Sequence, residues 1–416
     1  MVTLQGVLGL VVFVGIGVLL SEQRRAIRWR SVGIGVGVQL VLAVVLVKAP
    51  IVRDVLAWMS DAVRLIEEAS LAGASFMFGY LAGGPTPFEV TDGGANFIVG
   101  FRVLPLILIV SAISAVLFHW GVLPWVIRGM AKGLQRVFKV SGALGFAAAS
   151  SVFFGIIESP LLIKPYLGKL DRSELFALMT CGMATVAGTV MVLYASVLSP
   201  IVPEAMGHIL VASVISVPAA LVMSHLFIPG DAEGAGVDAE ITLPTEPHGT
   251  MGALMNGTVE GTKMVVHIAA TIIVLFALVH LLNRGLGLVP SWDDGPVTAQ
   301  KLIGTALRPM VWLLGIPWEE TATAGELVGT KTILNEFVAY LDMARLPAGA
   351  LSERSRLIMT YAMCGFANLG SLGILVGGLG AIVPERRPEI ITLGFRAILA
   401  GTLATFMTGA VIGLLT

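Results

Sequence analysis

Two glutamates stand inside short apolar segments that are interrupted by polar residues. Glu158 lies in GIIESPLLIKPYL, residues 155–167, and Glu336 lies in GTKTILNEFVAYL, residues 329–341. A carboxylate near the centre of a bilayer costs on the order of 3 kcal/mol, so it normally faces a cavity, a partner or a proton path. Amide and hydroxyl side chains that suit an uncharged, polyhydroxylated ligand follow at Asn335, Asn368 and Ser371.

The composition is that of a membrane protein. The chain has 416 residues, 56% hydrophobic and 13% charged, with a mean hydropathy of +0.90, against roughly 25% charged residues in soluble domains. A net charge of −1 offers no basic field to a nucleic acid, so that partner is excluded. Cys181, Cys364 and the scattered histidines lack ligand spacing, which predicts no metal enzyme and no cofactor. A membrane-embedded enzyme would need paired catalytic groups, but no nucleophile or metal-binding cluster accompanies Glu319 and Glu320, so the sequence predicts that the protein is not an enzyme.

Eight apolar stretches approach the ~20 residues that a bilayer core demands. The first lacks a cleavage site and is followed by a cluster of arginines between residues 24 and 30, so we predict a span rather than a signal peptide. Because basic residues gather on the cytoplasmic side, the N-terminus is predicted outside. The stretches are residues 4–20, 33–47, 97–120, 176–199, 205–228, 262–283, 357–383 and 391–415.

Three further segments are too polar to cross. Residues 53–71 alternate apolar and charged residues at helical spacing, and residues 128–139 carry four basic residues and no acid; both predict helices lying along the interface. Residues 229–256 contain five acids and no Lys or Arg. This composition predicts a polar linker, which the parity of the spans places on the inside.

Residues 141–170 and 311–343 are apolar but broken midway by glycine and polar residues. An interrupted helix is tolerated in lipid only where its freed backbone is buried in protein or faces water. We therefore predict two re-entrant hairpins.

A repeat relates the two halves. GIIESPLLIKPYL aligns with GTKTILNEFVAYL, and MTCGMATVA (179–187) with MTYAMCGFA (359–367). Three spans separate the copies, so they enter from opposite sides, as in secondary transporters whose sites lie near the midplane. The predicted fold is an all-α polytopic membrane protein of eight spans, two hairpins and interfacial helices. Its predicted units are residues 1–120, with spans 1–3 and an interfacial helix; 121–228, the first repeat with hairpin 1 and spans 4 and 5; 229–298, an acidic linker and span 6; and 299–416, the second repeat with hairpin 2 and spans 7 and 8.

Other polar residues have two interpretations each. Thr185 and carbonyls freed near Ala187 and Gly188 suit a Na⁺ ion; the alternative is a close helix crossing that glycine permits. Phe366 is either a core residue or a stacking platform. Side chains predicted to extend to the membrane interface, or to lie in its aromatic belt, are Arg102, Lys164, Lys331, Trp292, Trp312 and Trp318.

The segments GTKTILNEFVAY and CGFANLGSLGI resemble the signature of the concentrative nucleoside transporter family. The likeness covers most of the chain, from FRVLPLILIVSAI (101–113) to the last span. It implies a homotrimer in a plasma membrane of bacterial inner-membrane type. A transport domain formed by the two repeats, 121–228 and 299–416, would move as an elevator across a rigid scaffold formed by residues 1–120 and 229–298.

By position, the resemblance implies that Glu336, Asn368 and Ser371 hold the ribose hydroxyls, with Asn335 beside them. Phe366 and Val190 would flank the base. Glu158 would reach the polar edge of the base, and the other substrate-binding residues implied at the first hairpin tip are Gly155, Ile156 and Ile157. The residues implied to bind the cation are Ser151, Phe154, Thr185 and Val186.

Two departures from the family pattern keep alternatives open. Relatives typically have Gly-Gln-Thr-Glu at the first tip, where this chain has Ile156 and Ile157, so base preference is undetermined. Relatives with a sodium site typically have Asn where Ser151 stands, so the coupling ion is Na⁺ or H⁺. The expected function is cation-coupled import of nucleosides. Its alternatives are proton-coupled transport of a nucleobase-like solute and a passive channel or gate of the same fold.

Overall fold

The computed structural model describes residues 2–89, 97–230, 249–290 and 296–416, and the regular elements in these ranges are all helical. The α-helices are α1 (Val2–Leu19), α2 (Trp29–Lys48), α3 (Pro50–Phe78), α4 (Val99–Arg102), α5 (Leu106–His119), α6 (Val122–Phe138), α7 (Gly142–Ser150), α8 (Glu158–Leu162), α9 (Lys164–Leu167), α10 (Arg172–Ala184), α11 (Gly188–Leu198), α12 (Ala205–Phe227), α13 (Gly249–Leu286), α14 (Ala299–Trp312), α15 (Thr321–Ile333), α16 (Glu336–Arg345), α17 (Glu353–Met363), α18 (Leu369–Ile382) and α19 (Arg387–Leu415).

Helices long and apolar enough to cross a bilayer lie where the sequence predicted spans. Within the described ranges they are Trp29–Lys48, Val99–His119, Arg172–Leu198, Ala205–Phe227, Gly249–Leu286 and Pro384–Leu415. Two shorter apolar helices, Leu4–Leu19 and Leu369–Ile382, overlap the remaining two predicted stretches.

Two of the predicted spans are each built from two helices. The stretch 176–199 is divided between α10 and α11 by a non-helical turn at residues 185–187, and the stretch 357–383 is divided between α17 and α18 by residues 364–368. The first interruption occurs where the sequence predicted freed carbonyls, and the second contains Gly365, Phe366 and Asn368.

The prediction that the polar linker 229–256 extends to residue 256 was wrong. Residues 231–248 lie outside the described ranges, but α13 already begins at Gly249. The reason is close packing on α5: a Cβ at Gly257 would lie 2.7 Å from the carbonyl oxygen of Ser111, and one at Gly261 would lie 2.9 Å from the Ser111 Cβ. Small residues at this spacing let two helix backbones approach, which extends α13 to 38 residues.

The predicted interfacial segments form amphipathic helices. On α6, Pro124, Ile127 and Ala131 are buried while Arg128 and Lys132 are exposed. α3 lies against the end of α11 and the start of α12, where Ser196 donates a hydrogen bond to Glu67 Oε1 at 2.7 Å. On both helices polar and apolar side chains recur at helical spacing, but the exposed side also carries large apolar residues such as Trp58, Leu65 and Trp125.

The loop after α1 contacts the far end of α12. The Glu22 N–H donates to the Phe227 carbonyl at 2.9 Å, and the Arg28 N–H donates to His225 Nε2 at 3.1 Å. α12 therefore ends at the same end of the bundle as the arginine cluster. This agrees with the parity of the predicted spans.

An ion-pair cluster joins three elements at that end. Glu22 pairs with Arg172 at 2.9 Å and with Arg396, and Glu389 pairs with Arg172 at 3.6 Å and with Arg386 at 2.7 Å. The hydrogen bond from Arg172 holds the pKa of Glu22 below its ordinary value. These side chains are partly exposed, so each pair adds little stability, but together they define where α1, α10 and α19 meet.

The two segments predicted to be hairpins have contacts near opposite ends of α19. Hairpin 1 consists of α7, α8 and α9, and hairpin 2 of α15 and α16. At the base of hairpin 1, the Leu170 carbonyl accepts a hydrogen bond from Arg386, just before α19 begins. Beside hairpin 2, Arg354 donates to the carbonyls of Gly315 and Gly413, the latter at the end of α19. Since α19 has 29 residues, these two places are roughly 40 Å apart.

The buried core belongs to the hairpins and the helices around them. Every residue of α7 is buried, and α10 is buried from Glu174 to Ala184. α1 packs along α19 and α2 along α12. By contrast, only 6% of the most apolar window of α13 is buried, so this helix presents a broad apolar surface outside the core.

Candidate functional site

Four interruptions of helical structure meet inside the bundle. They follow α7, α10, α15 and α17. The Gly188 N–H donates to the Phe153 carbonyl at 2.8 Å, which joins the first two interruptions, and the Phe366 N–H donates to the Thr185 carbonyl at 3.3 Å, which joins the second to the fourth. Backbone groups that a continuous helix would satisfy are therefore paired between segments far apart in sequence.

Glu336 lies at the centre of this junction. It is the first residue of α16, and its residue surface is only 3% exposed. The hydroxyl of Tyr194 donates to Oε1 at 2.5 Å, and Nδ2 of Asn368 donates to Oε2 at 2.9 Å. Each carboxylate oxygen thus has one protein donor and retains a lone pair for a further donor.

Two asparagines begin the helices that converge on Glu336. Oδ1 of Asn335 accepts from the Val338 N–H at 2.9 Å, and Oδ1 of Asn368 accepts from the Ser371 N–H at 2.7 Å. Each is the N-cap of its helix, α16 and α18 respectively, a position that asparagine favours. Since a helix start carries a partial positive charge, both helices stabilise an anionic group here.

The amide of Asn368 has only one orientation that serves both neighbours. Its oxygen caps α18 while its nitrogen donates to Glu336. Ser371 lies one turn into α18 and is buried, and Phe366, which precedes Asn368 in the interruption, is half-buried. The predicted ribose-binding residues Glu336, Asn368 and Ser371 are therefore brought together.

The tip of hairpin 1 closes against α10 and α18. Glu158 is the first residue of α8 and is half-buried, and a Cβ at Gly155 would collide with its Oε2. Ile157 packs on α18, where a Cβ at Gly378 would lie 2.5 Å from its Cδ1. Ile156 lies beside α10, and its Cα would be 3.8 Å from a Cβ at Gly182.

The positions at which α8 and α16 begin give a different alignment of the two repeats from the one predicted from sequence. Glu158 begins α8 and Glu336 begins α16, so the two glutamates are structurally equivalent. The sequence alignment, which pairs Gly155 with Gly329, is four residues away from this register. The two segments share too few identical residues to determine their alignment from sequence. The interruption of helical structure before each glutamate determines it instead.

The predicted cation-binding residues occupy the first two interruptions. The hydroxyl of Ser151 donates to the Ala148 carbonyl at 2.8 Å, and that of Thr185 donates to the Cys181 carbonyl at 2.9 Å. Both protons are used within their own helices, which leaves the hydroxyl oxygens able to act as acceptors.

The other two predicted cation residues have partners outside their own segments. The ring of Phe154 packs edge-on against Phe118, with centroids 5.6 Å apart, and the Val186 N–H faces Oγ of Ser213 at 3.5 Å. Val190, predicted to flank the base, is buried in the first turn of α11. Within the described residues, no group of three or more His, Cys, Asp or Glu side chains is arranged to hold a metal ion.

Two residues of the site were not found from the sequence. Tyr194, the donor to Glu336, is the one aromatic residue of α11, and that isolated polar ring in an apolar run was the available signal. Lys331 was predicted to extend toward an interface, which is wrong: it is 1% exposed, and its Nζ donates to the Ala362 carbonyl and to Thr405 Oγ1, both at 3.3 Å. The interruptions supply polar partners in the interior, so the ammonium need not reach water.

The other residues predicted for the interface differ from Lys331. Arg102, Lys164 and Trp318 are exposed, and Trp312 is half-buried. Trp292 lies outside the described residues.

Replacement of Tyr194 by phenylalanine tests the tyrosine donor. We expect the affinity of the site for its ligand to fall about tenfold, because a hydrogen bond to a charged acceptor contributes at least ~1.5 kcal/mol. Tyr340→Phe is the control, since the Tyr340 hydroxyl donates to the Thr360 carbonyl instead. Equal effects of the two substitutions on ligand affinity would show that Tyr194 has no special relation to Glu336.

Comparison with known proteins decides the family. A sequence profile for the C-terminus of the Na⁺ dependent nucleoside transporters matches residues 208–413, and one for their N-terminus matches residues 8–81. A third profile, described as nucleoside recognition, matches residues 100–201. The chain is 32% identical to nucleoside permease NupC of Helicobacter pylori, over 99% of this chain and 97% of NupC. The chain belongs to the concentrative nucleoside transporter family.

Members of the concentrative nucleoside transporter family from other sources are similar in sequence and in fold. Sodium/nucleoside cotransporter 1 of Oryctolagus cuniculus is 30% identical over 98% of this chain, which covers 62% of that protein. CNTnw in an inward-facing, substrate-bound state is 34% identical and superposes with a TM-score of 0.88, over 100% of this chain and 98% of CNTnw. A CNTnw variant in an outward-facing state gives a TM-score of 0.90. The chain is thus a multi-pass membrane protein for nucleoside transport and not an enzyme.

Proposed function

We propose that this protein is a secondary active transporter that imports nucleosides into the cell by symport with a cation. The observation that carries the proposal is the buried Glu336 carboxylate, held between the Tyr194 hydroxyl and the Asn368 amide where the helix interruptions meet. The sodium dependence named for the matching family profile supports a cation as the driving ion.

The ribose binds at Glu336, Asn368 and Ser371 in this proposal. Each oxygen of the Glu336 carboxylate retains a lone pair, so neighbouring ribose hydroxyls can donate to it while Tyr194 and Asn368 keep their bonds. Such hydrogen bonds to a charged group are worth roughly 1.5–3 kcal/mol each. Asn335 contributes by maintaining the start of α16 rather than by direct contact, because its oxygen caps that helix.

The base binds between Phe366 and Val190, with its polar edge toward the tip of hairpin 1. Phe366 is half-buried, so one ring face is available for stacking. At the tip, Gly155 leaves room for the Glu158 carboxylate, which is the polar group that meets the base. Ile156 and Ile157 make the rest of this surface apolar.

The cation binds at Ser151 and Thr185, together with backbone carbonyls of Phe154 and Val186. Hydroxyl and carbonyl oxygens suit Na⁺, as do the carbonyls of unwound transporter helices. The second candidate is H⁺. It is favoured by Ser151, which is shorter than the asparagine of sodium-binding relatives, and by Glu158 and Glu336, which can carry a proton.

Transport takes place by an elevator-type movement in a homotrimer of the plasma membrane, with eight spans, two inverted hairpins and the N-terminus outside. The scaffold is formed by residues 1–120 and 229–298, and the moving part by residues 121–228 and 299–416. The broad apolar surface of α13 supports its place in the scaffold. In this division, the faces on which α1 packs against α19 and α2 against α12 are sliding surfaces.

Uptake into proteoliposomes tests the proposal. We expect radiolabelled uridine and adenosine to accumulate above the outside concentration when an inward Na⁺ gradient is imposed, and unlabelled nucleosides to compete. Accumulation with an H⁺ gradient alone would identify the proton as the coupling ion. Flux that equilibrates and ignores both gradients would indicate a passive channel. Protein-free liposomes are the control, and absence of uptake for every nucleoside would reject the substrate class.

A further inference from the structure

Lys331 is a buried cation close to the proposed ribose site. Its residue surface is 1% exposed, and it lies in the last turn of α15, just before the interruption of hairpin 2. An ammonium in such a place is costly unless it is paired and hydrogen-bonded. A costly buried ammonium beside the proposed site indicates that Lys331 has a functional role.

The hydrogen bonds of Lys331 tie hairpin 2 to the interruption between α17 and α18. Nζ donates to the carbonyl of Ala362, one of the last residues of α17, whose carbonyls have no partner further along the helix. It also donates to Thr405 on α19. The Thr405 Cγ2 in turn would lie 2.8 Å from a Cβ at Gly365. Lys331 thus anchors the segment from which Asn368 extends to Glu336.

The charge of Lys331 also complements that of Glu336. The two residues lie on opposite sides of the hairpin 2 interruption, Lys331 at the end of α15 and Glu336 at the start of α16. The helix dipole favours a cation at a helix end and an anion at a helix start. The end of α15 therefore stabilises the Lys331 ammonium, and the start of α16 stabilises the Glu336 carboxylate.

We propose that Lys331 is a positioning residue for nucleoside binding: it anchors the chain interruption that carries Asn368 and places a positive charge across the hairpin 2 interruption from Glu336, so that Asn368 and Glu336 meet the ribose together. This rests on the proposed function, in which Glu336 and Asn368 bind ribose. Lys331 itself does not touch the nucleoside. Its loss therefore weakens the ribose contacts and leaves the base contacts intact.

The experiment compares uridine with 2′,3′-dideoxyuridine, which lacks the hydroxyls, as substrates of wild type and Lys331→Met. In wild type, we expect uridine to bind at least tenfold more tightly than dideoxyuridine. In Lys331→Met, we expect the half-saturating concentration for uridine to rise at least tenfold and that for dideoxyuridine to change less than twofold. Lys169→Met, at an exposed lysine near the base of hairpin 1, is the control and leaves both values unchanged.

Two further variants keep the test informative if Lys331→Met folds poorly. Thr405→Val removes one acceptor and retains the charge, and it should raise the uridine value about threefold without affecting dideoxyuridine. Lys331→Met/Glu336→Gln should melt at a higher temperature than Lys331→Met, because the second change removes the uncompensated carboxylate.

The outcomes separate the two proposals. If wild type binds both substrates equally, the ribose site itself is wrong, and the role of Lys331 is wrong with it. If wild type discriminates but Lys331→Met or Thr405→Val loses affinity for both substrates equally, only the positioning role of Lys331 is overturned. The same holds if the double variant is less stable than Lys331→Met.

Discussion

Replacement of Glu336 by glutamine is expected to lower nucleoside uptake, measured as the ratio of maximal rate to half-saturating concentration, at least a hundredfold. Both carboxylate oxygens accept a hydrogen bond, from Tyr194 and from Asn368. A glutamine in the same place offers one oxygen and one NH₂ group. If the oxygen stays with Asn368, the Tyr194 hydroxyl can only accept from the NH₂ group, and its own buried proton loses its acceptor.

The magnitude follows from the charge that is lost. Hydrogen bonds to a charged group contribute roughly 1.5–3 kcal/mol, and an unpaired buried donor costs a further ~1–3 kcal/mol. A change of ~3 kcal/mol in binding corresponds to a factor above a hundred. Loss of a single neutral hydrogen bond would be about tenfold smaller in effect.

Glu326→Gln is the matched control for this experiment. Glu326 lies on α15 of the same hairpin, and its side chain is exposed. It should transport at the wild-type rate, with both variants quantified in the membrane before uptake is measured. Wild-type affinity in Glu336→Gln would remove Glu336 from the site and would withdraw the ribose assignment.

Replacement of Gly365 by alanine should reduce uptake about a hundredfold by forcing two chain interruptions apart. The added Cβ would lie 3.0 Å from the carbonyl oxygens of both Met183 and Ala184, and 2.8 Å from Thr405 Cγ2. Backbone carbonyls in a packed core cannot turn away as a flexible side chain can. Overpacking of this kind costs up to ~3 kcal/mol.

The displaced segment carries functional groups on both sides. The Phe366 N–H donates to the Thr185 carbonyl, so the same methyl group disturbs the proposed stacking residue and the proposed cation ligand. The measurements are nucleoside uptake and the cation concentration for half-maximal uptake, both of which should deteriorate.

Gly373→Ala is the control for the added methyl group. Gly373 lies within α18, and a Cβ there meets no atom within 4 Å. Because alanine has a higher helix propensity than glycine, this variant should be at least as stable as wild type. Normal transport by Gly365→Ala would show that the contact between the two interruptions is not needed.

Much of the architecture was predictable because the relevant signals are local. Helix length and hydropathy along the chain are sufficient to locate apolar spans, and glycine with polar residues in segments too short to cross predicts the interruptions near Glu158 and Glu336. The Asn-Glu-Phe and Gly-Phe-Ala-Asn motifs then indicated the family, which the comparisons confirmed.

Other features depended on contacts that no local pattern records. The start of α13 was misplaced because it is extended by packing on α5. The environment of Lys331 was misjudged because its acceptors, Ala362 and Thr405, are distant in sequence. A lysine in an apolar segment has the same sequence signature whether it reaches an interface or finds partners inside.

The sequence by itself determined that this is a helical membrane protein of the concentrative nucleoside transporter family, with carboxylates and amides at broken helices. Hydropathy and chain interruption are properties of short segments, so they can be detected without a fold. Only the tertiary structure decided which donor meets each oxygen of Glu336, since Tyr194 and Asn368 reach it from different helices. Hydrogen bonds require partners within about 3 Å, and that proximity is created only when the four interruptions pack together.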